Sequence, residues 1–185
     1  MASNYCKNLK FDGCKLSRFD AHCGVHNISI VDSEIGKVIN FVGSGTAYFE
    51  NVTVSGGSRS YFLALRSDYG STWRGDIVIR NCKLVSSKNS AELIQLIWNS
   101  WDFGYTCYIP NVDVDGFTVV NKSGTTVPST SVYVFNNFAK INPLNDSVNP
   151  YIAPTYIKTK NFYFKDYVAS SVLTPVFALT TKQKL

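Results

Sequence analysis

Several features that mark common functional classes are missing from this sequence of 185 residues. No stretch approaches the ~20 apolar residues that cross a bilayer, so we expect a soluble chain without a transmembrane helix. Residues 1–7 lack the apolar core of a signal peptide. P-loop, GxGxxG and HExxH motifs are absent, and we expect no cofactor. His22 and His26 lie four residues apart, but Gly24 and the strand pattern between them exclude a helical zinc pair.

Cysteines are few and odd in number, and none belongs to a CxxC pair. The five are Cys6, Cys14, Cys23, Cys82 and Cys107. This count and spacing argue against a zinc knuckle and fit a disulfide framework poorly. We therefore expect buried free thiols in a protein made in a reducing cytoplasm.

Charged residues are also scarce, at 17% against 45% hydrophobic residues, and this balance is typical of a folded globular protein. The length predicts a single domain over residues 1–185, either complete or a fragment of a longer protein. A net charge of +5 gives only a weak preference for anionic partners such as acidic glycans. No Lys/Arg run occurs, so neither a nucleic-acid nor a membrane partner is expected.

A nine-residue pattern recurs six times and organises the chain, with starts at residues 8, 27, 46, 76, 111 and 156. Its second and fourth positions are nearly all apolar and alternate with outward positions, which predicts a strand with one buried face. The second position holds Leu9, Ile28, Ala47, Ile77, Val112 and Ile157. The first two intervals are 19 residues, and the later ones lengthen to 30, 35 and 45, which predicts growing loops between repeats.

The sixth position of the pattern contains only glycine, asparagine and aspartate. Its members are Gly13, Asp32, Asn51, Asn81, Gly116 and Asn161. These residue types tolerate a positive φ, so a left-handed bend is predicted at this point of every repeat. The pattern predicts an all-β fold, a right-handed single-stranded parallel β-helix of about six coils. A β-sandwich also has regularly spaced short strands, but it does not predict this column.

A further strand is predicted in each coil, beginning with Arg18–His22 and Val38–Val42. Its expected inward residues, whose neighbours would face solvent, are Phe19, Ala21, Ile39, Phe41, Leu63, Leu65, Ile94, Leu96, Tyr133 and Phe135. Two outward columns follow from this register. They are Asp20, Asn40, Ala64 and Gln95, and then His22, Val42, Arg66 and Ile97. With coils ~4.8 Å apart, Asp20 and Arg66 are expected about 10 Å from each other.

The whole chain resembles the pectin-lyase-like β-helices, and among them phage tailspikes, tail fibres and pre-neck appendages. Ser17–Gly24 and Leu65–Trp73 are similar to segments of phage or prophage structural proteins, and the resemblance rests mainly on Asn8–Leu84. It implies a virion tail protein made in the host cytoplasm. Such proteins commonly trimerise, associate with other tail proteins, bind bacterial surface glycans and sometimes cleave them. Analogy at the level of fold does not establish activity.

The outward face of the second strand is the predicted glycan site. Aromatic rings stack on sugars, while Arg, Asp and Gln side chains hydrogen-bond hydroxyls and carboxylates. The candidate ligand-binding residues are Arg18, Asn40, Trp73, Gln95, Trp98 and Trp101. The candidate catalytic residues are Asp20, His22, Arg66 and Asp68. No metal ligands are expected.

Three functions remain open at this face. The first is recognition of a bacterial surface polysaccharide by a homo-oligomeric tail module. The second is depolymerisation, with Asp20 and Asp68 as paired acids of a glycosidase, or with His22 or a lysine as the base of a lyase and Arg66 stabilising its intermediate. The third is a purely structural β-helix fragment of the virion without a ligand, in which these residues form a ladder of ion pairs. The absence of an Asp-Asp pair weakens the enzymatic alternative.

Asp113 and Asp115 share one strand face and resemble an acid or metal pair. Their column neighbours are cationic, namely Arg80, Lys158 and Lys160. We therefore expect surface ion pairs that maintain strand register.

Overall fold

The computed structural model describes residues 2–55, 61–66, 73–86, 90–96, 107–122, 131–136, 151–152 and 156–166. These residues form an all-β structure without helices. Within this part of the chain there is accordingly no helix with the length and apolar character that a membrane crossing requires. The strands are β1 (Ala2–Ser3), β2 (Lys7–Asp12), β3 (Lys15–Leu16), β4 (Phe19–Val31), β5 (Glu34–Ile35), β6 (Ile39–Glu50), β7 (Thr53–Val54), β8 (Tyr61–Leu65), β9 (Trp73–Ser86), β10 (Ser90–Leu96), β11 (Cys107–Tyr108), β12 (Asn111–Asn121), β13 (Ser131–Asn136), β14 (Tyr151–Ile152) and β15 (Ile157–Lys165).

Thirteen strands belong to one curled sheet, and β11 pairs separately with β14. Every pairing is parallel, and each connects a segment of one repeat with the equivalent segment of the next. The apolar second positions therefore align across six neighbouring segments. The predicted register of the nine-residue pattern is confirmed from Leu9 to Ile157.

The predicted left-handed column is also confirmed. All six sixth-position residues have positive φ, between 48° at Asp32 and 83° at Gly116. The asparagine and aspartate side chains stack on one another, since Asn51 Nδ2 donates to Asp32 Oδ1 at 2.7 Å. A short polar residue at this position thus satisfies the backbone geometry and also connects adjacent strands.

A second left-handed bend lies at the start of each of the first repeats, and it was not predicted. It is formed by Asn8 (φ 55°) and Asn27 (φ 60°), then by Gly45 (φ 87°) and Gly75 (φ 143°). The change from asparagine to glycine coincides with one extra residue in β6, which shifts the register with β4 after His26. Gly75 is required here because a Cβ would lie 2.2 Å from the Gly45 carbonyl oxygen.

The core lies inside the curl and contains a row of stacked aromatic rings. Phe62 is 5.8 Å from Phe49 and 5.2 Å from Phe117 between ring centroids, with the rings nearly perpendicular in both pairs. Phe62 and Ala64 are fully buried, so the expectation that both neighbours of Leu63 face solvent is wrong. Phe62 joins the main core, while Ala64 packs with Val38 and Tyr61 in a second apolar cluster.

Four cysteines are free thiols, as predicted, but only Cys82 is buried. Burial raises the pKa of Cys82 to about 12, which keeps this thiol protonated at neutral pH. Cys6, Cys14 and Cys23 are half-buried, so the expectation of burial is wrong for them. Cys6 and Cys14 belong to the first repeat, whose strands β2 and β3 pair on one side only among the described residues. The side chain of Cys107 lies outside the described residues.

The outward charged column has the predicted register, in which Arg80 faces Asp115 and Asp115 faces Lys160. Lys160 Nζ lies 3.3 Å from Asp115 Oδ2. The partner of Arg80 is instead Asp113, at 3.1 Å. These partly exposed pairs agree with a register role and a small individual contribution to stability.

Candidate functional site

The first outward column of the second strand has the predicted register. Asp20 aligns with Asn40, Asn40 with Ala64, and Ala64 with Gln95. Asn136 extends the column opposite Gln95. Polar side chains on three adjacent segments, β4, β6 and the end of β8, therefore meet at one place.

Asp20 is the centre of that cluster. Its carboxylate accepts hydrogen bonds from Arg18 Nε, from Asn40 Nδ2 at 3.1 Å and from Arg66 Nη1 at 3.1 Å. The predicted separation of about 10 Å between Asp20 and Arg66 is wrong for the charged groups. The backbones lie two strands apart, but the long arginine side chain closes the gap.

Asp20 is only 3% exposed, so the expectation that it faces solvent is also wrong. Burial raises its pKa, but the hydrogen bonds from Arg18 and Asn40 and the charges of Arg18 and Arg66 outweigh burial and lower the pKa overall. The carboxylate is therefore ionised at neutral pH. That state does not suit the protonated acid of a glycosidase, and the enclosed position does not suit a nucleophile.

The guanidiniums are the accessible part of the cluster. The side chain of Arg18 is 52% exposed and that of Arg66 is 19% exposed. Asp20 raises the pKa of Arg18 through a hydrogen bond and its charge. Asn40 donates to the same carboxylate oxygen as Arg66, and its own Oδ1 atom is buried without a hydrogen-bond partner among the described residues. The arrangement orders two planar cations at the surface.

His22 is half-buried. Its predicted pairing with Val42, which would place it beside the cluster, is not present. The register between β4 and β6 shifts between Ala21 and Val25, so His22 lies in a local irregularity of the sheet. Gln95 is half-buried in the expected column. Asp68, Trp98 and Trp101 lie outside the described residues.

Trp73 was expected to stack on a sugar from the surface, and that expectation is wrong because the residue is fully buried. Its indole Nε1 donates to the Gly45 carbonyl at 3.1 Å, and its ring packs edge-on against Phe41 at 4.9 Å. Trp73 therefore fills the inside of the bend formed by Gly45 and Gly75. Its large ring occupies the space that side chains at these two glycines would otherwise take.

A groove of about 310 Å³ on the outer face of the nine-residue strands was missed by the sequence interpretation. It crosses β2, β4 and β6, and its lining consists of Asn8, Leu9, Lys10, Asn27, Ile28, Ser29, Thr46 and Tyr48. In the sequence, this groove corresponds to the small Ser29 lying between Lys10 and Tyr48 in one outward column. Among the described residues, no three His, Cys, Asp or Glu side chains are arranged to hold a metal ion.

No protein-family model, curated protein or solved structure matches the chain.

Proposed function

We propose that the chain is a right-handed parallel β-helix of about six coils that binds polysaccharide through its outer surface. The parallel register of six successive repeats and the left-handed residue in each of them support this architecture. Right-handed crossovers are the rule for parallel strands of one sheet. Because each repeat is fixed by its neighbours, outward side chains are held in place before a ligand arrives.

The observation that carries the proposal is the Asp20 cluster, in which Arg18 and Arg66 are oriented by a buried carboxylate. Guanidiniums match planar carboxylates in a bidentate geometry, and orientation before binding reduces the entropy cost. The ligand class is therefore an acidic polysaccharide, in agreement with the net charge of +5. The resemblance of Ser17–Gly24 to phage structural proteins supports a bacterial surface glycan and an oligomeric tail module.

Binding is favoured over catalysis because the best-placed carboxylate is ionised and enclosed. A depolymerase needs an acid or base that can reach the substrate. Asp20 is committed to three hydrogen bonds, so its chemistry in this structure is to position the arginines.

The test is binding of polygalacturonate and of a panel of acidic and neutral bacterial surface polysaccharides, measured by titration calorimetry. Arg18→Ala is expected to weaken binding of acidic chains by about ten- to a hundredfold, since a hydrogen bond to a charged group contributes roughly 1.5–3 kcal/mol. Lys160→Ala is the control, because Lys160 is also paired with an aspartate and lies on β15, away from the Asp20 cluster. Equal affinity of the Arg18 variant and the wild type would refute the proposed site, and wild-type protein that binds no acidic chain would refute the function.

A further inference from the structure

The groove across β2, β4 and β6 is shaped by one small residue between two large ones. The register places Lys10 opposite Ser29 and Ser29 opposite Tyr48. Neighbouring strands are about 4.8 Å apart, so the backbones of Lys10 and Tyr48 are roughly 10 Å apart, and only the short serine side chain lies between them. The column therefore contains a notch that is open to solvent.

The wall beside the notch is rigid. Asn27 Nδ2 donates to Asn8 Oδ1 at 2.9 Å, and the Thr46 backbone N–H donates to Asn27 Oδ1 at 2.9 Å. Asn27 is thus held on both sides, and its left-handed backbone fixes the direction in which its side chain points. Binding against such a wall requires little ordering of the protein.

The opposite wall is aromatic. The hydroxyl of Tyr48 donates to Glu50 Oε2 at 2.9 Å, which limits rotation of the half-buried side chain. A fixed tyrosine ring offers a flat apolar surface of the kind that stacks on the carbon face of a pyranose.

Lys10 is the charged residue among those that line the groove, and charges of both signs lie around it, including those of Asp12 and Glu50. Lys7 and Arg74 occupy a neighbouring outward column and are exposed. Lys10 lies 3.5 Å from Asp12, but both side chains are more than half exposed, and such a pair exchanges readily with other partners. Asp76 is a further anionic residue on this face, and its carboxylate accepts hydrogen bonds from Asn111 and Tyr156.

We propose that this groove binds one uronate residue of an acidic polysaccharide, with the sugar ring on Tyr48 and its carboxylate towards Lys10. The volume of about 310 Å³ lies at the lower end of ligand sites, which span roughly 300–1,000 Å³, and suits a single sugar residue. The ligand class rests on the proposed function, but the contact is on a different face from the Asp20 cluster.

The test uses oligogalacturonate and its methyl ester, each titrated calorimetrically into the full chain. Ser29→Trp fills the notch and is expected to weaken binding of the acid about tenfold or more. Thr118→Trp is the matched control, because Thr118 is also half-buried on an outward strand position but lies beyond the left-handed bend. The control should bind as the wild type does, and both variants should keep the wild-type melting temperature within a few degrees.

Two substitutions of Tyr48 separate the contribution of ring stacking to the binding affinity from other contributions. Tyr48→Ala is expected to lose about three- to tenfold in affinity, whereas Tyr48→Phe keeps the ring and should bind like the wild type. Lys10→Met should reduce the preference for the acid over its ester, and the part that remains would come from the Asp20 cluster. The groove proposal is overturned if Ser29→Trp and Tyr48→Ala bind normally while Arg18→Ala does not, and that result leaves the proposed function intact. Wild-type protein that fails to bind oligogalacturonate refutes the groove proposal as well.

Discussion

At the scale of single residues, an asparagine in the left-handed column has two roles. It adopts a positive φ, and its side-chain amide forms a hydrogen bond to the adjacent strand. Asn51 has a left-handed backbone, and its side chain also donates to Asp32 on the adjacent strand. Asn161 also has a left-handed backbone and donates to the adjacent strand, but its acceptor is Asp115, at 2.6 Å, which precedes the column residue Gly116. Glycine supplies only the first of these roles, and a β-branched residue supplies neither. The alternation of Gly, Asn and Asp in this column therefore reflects a steric requirement together with a hydrogen-bond ladder.

Asn81 provides the direct test of that requirement, since its φ is 50°. Asn81→Val is expected to lower the free energy of unfolding by about 1–2 kcal/mol, because a β-branched side chain resists the left-handed region. The measurement is urea denaturation followed by circular dichroism. Asn81→Gly is the control, since glycine adopts the same φ without strain. It should cost clearly less than the valine substitution, and equal costs would show that strain is not the cause.

At the scale of elements, the strands differ in how they accommodate the bends. β9, β12 and β15 each run through the left-handed sixth position without interruption, whereas Gly13, Asp32 and Asn51 each lie between two strands. The entry to β9 is a point of close approach, where Gly75 lies against Gly45 and Trp73 packs inside the bend. Two glycines and one large ring thus act together, and a sequence pattern that scores positions separately does not detect this combination.

Gly75→Ala tests the close approach at this bend. The new Cβ would lie 2.2 Å from the Gly45 carbonyl oxygen at a φ of 143°, so we expect a loss of at least about 1–3 kcal/mol in the free energy of unfolding. Gly36→Ala is the matched control, because its Cβ would meet no atom closer than 3.4 Å and its backbone is not left-handed. The control should change stability by about 0.5 kcal/mol or less. Equal behaviour of the two variants in thermal unfolding would contradict the proposed constraint.

At the scale of the whole molecule, the sequence predicts what repeats and misses what depends on contacts between different segments. The register from Leu9 to Ile157 and the left-handed column follow from alternation and from local backbone preference, so both were predictable. The burial of Asp20 and of Trp73 was not predictable in this way. Asp20 is covered because Arg66 reaches it from another segment, and Trp73 is turned inward by a glycine bend that the repeat does not contain.

The same architecture predicts a gradient of hydrogen-exchange protection along the stack. β9 pairs on both sides, with β6 and β12, whereas β2 pairs with β4 alone among the described residues. The Gly13 N–H donates to the Val31 carbonyl at 3.1 Å, so by alternation the Asp12 N–H points away from β4.

Arg80 occupies the equivalent position in β9, where its N–H points towards β6. Its amide should exchange at least about a thousandfold more slowly than that of Asp12, because exchange from the paired strand requires a larger opening. Heteronuclear NMR after transfer into deuterated buffer measures both amides, and Gly13 serves as the bonded control beside Asp12. Equal protection of Asp12 and Gly13 would mean that another strand covers β2 in solution.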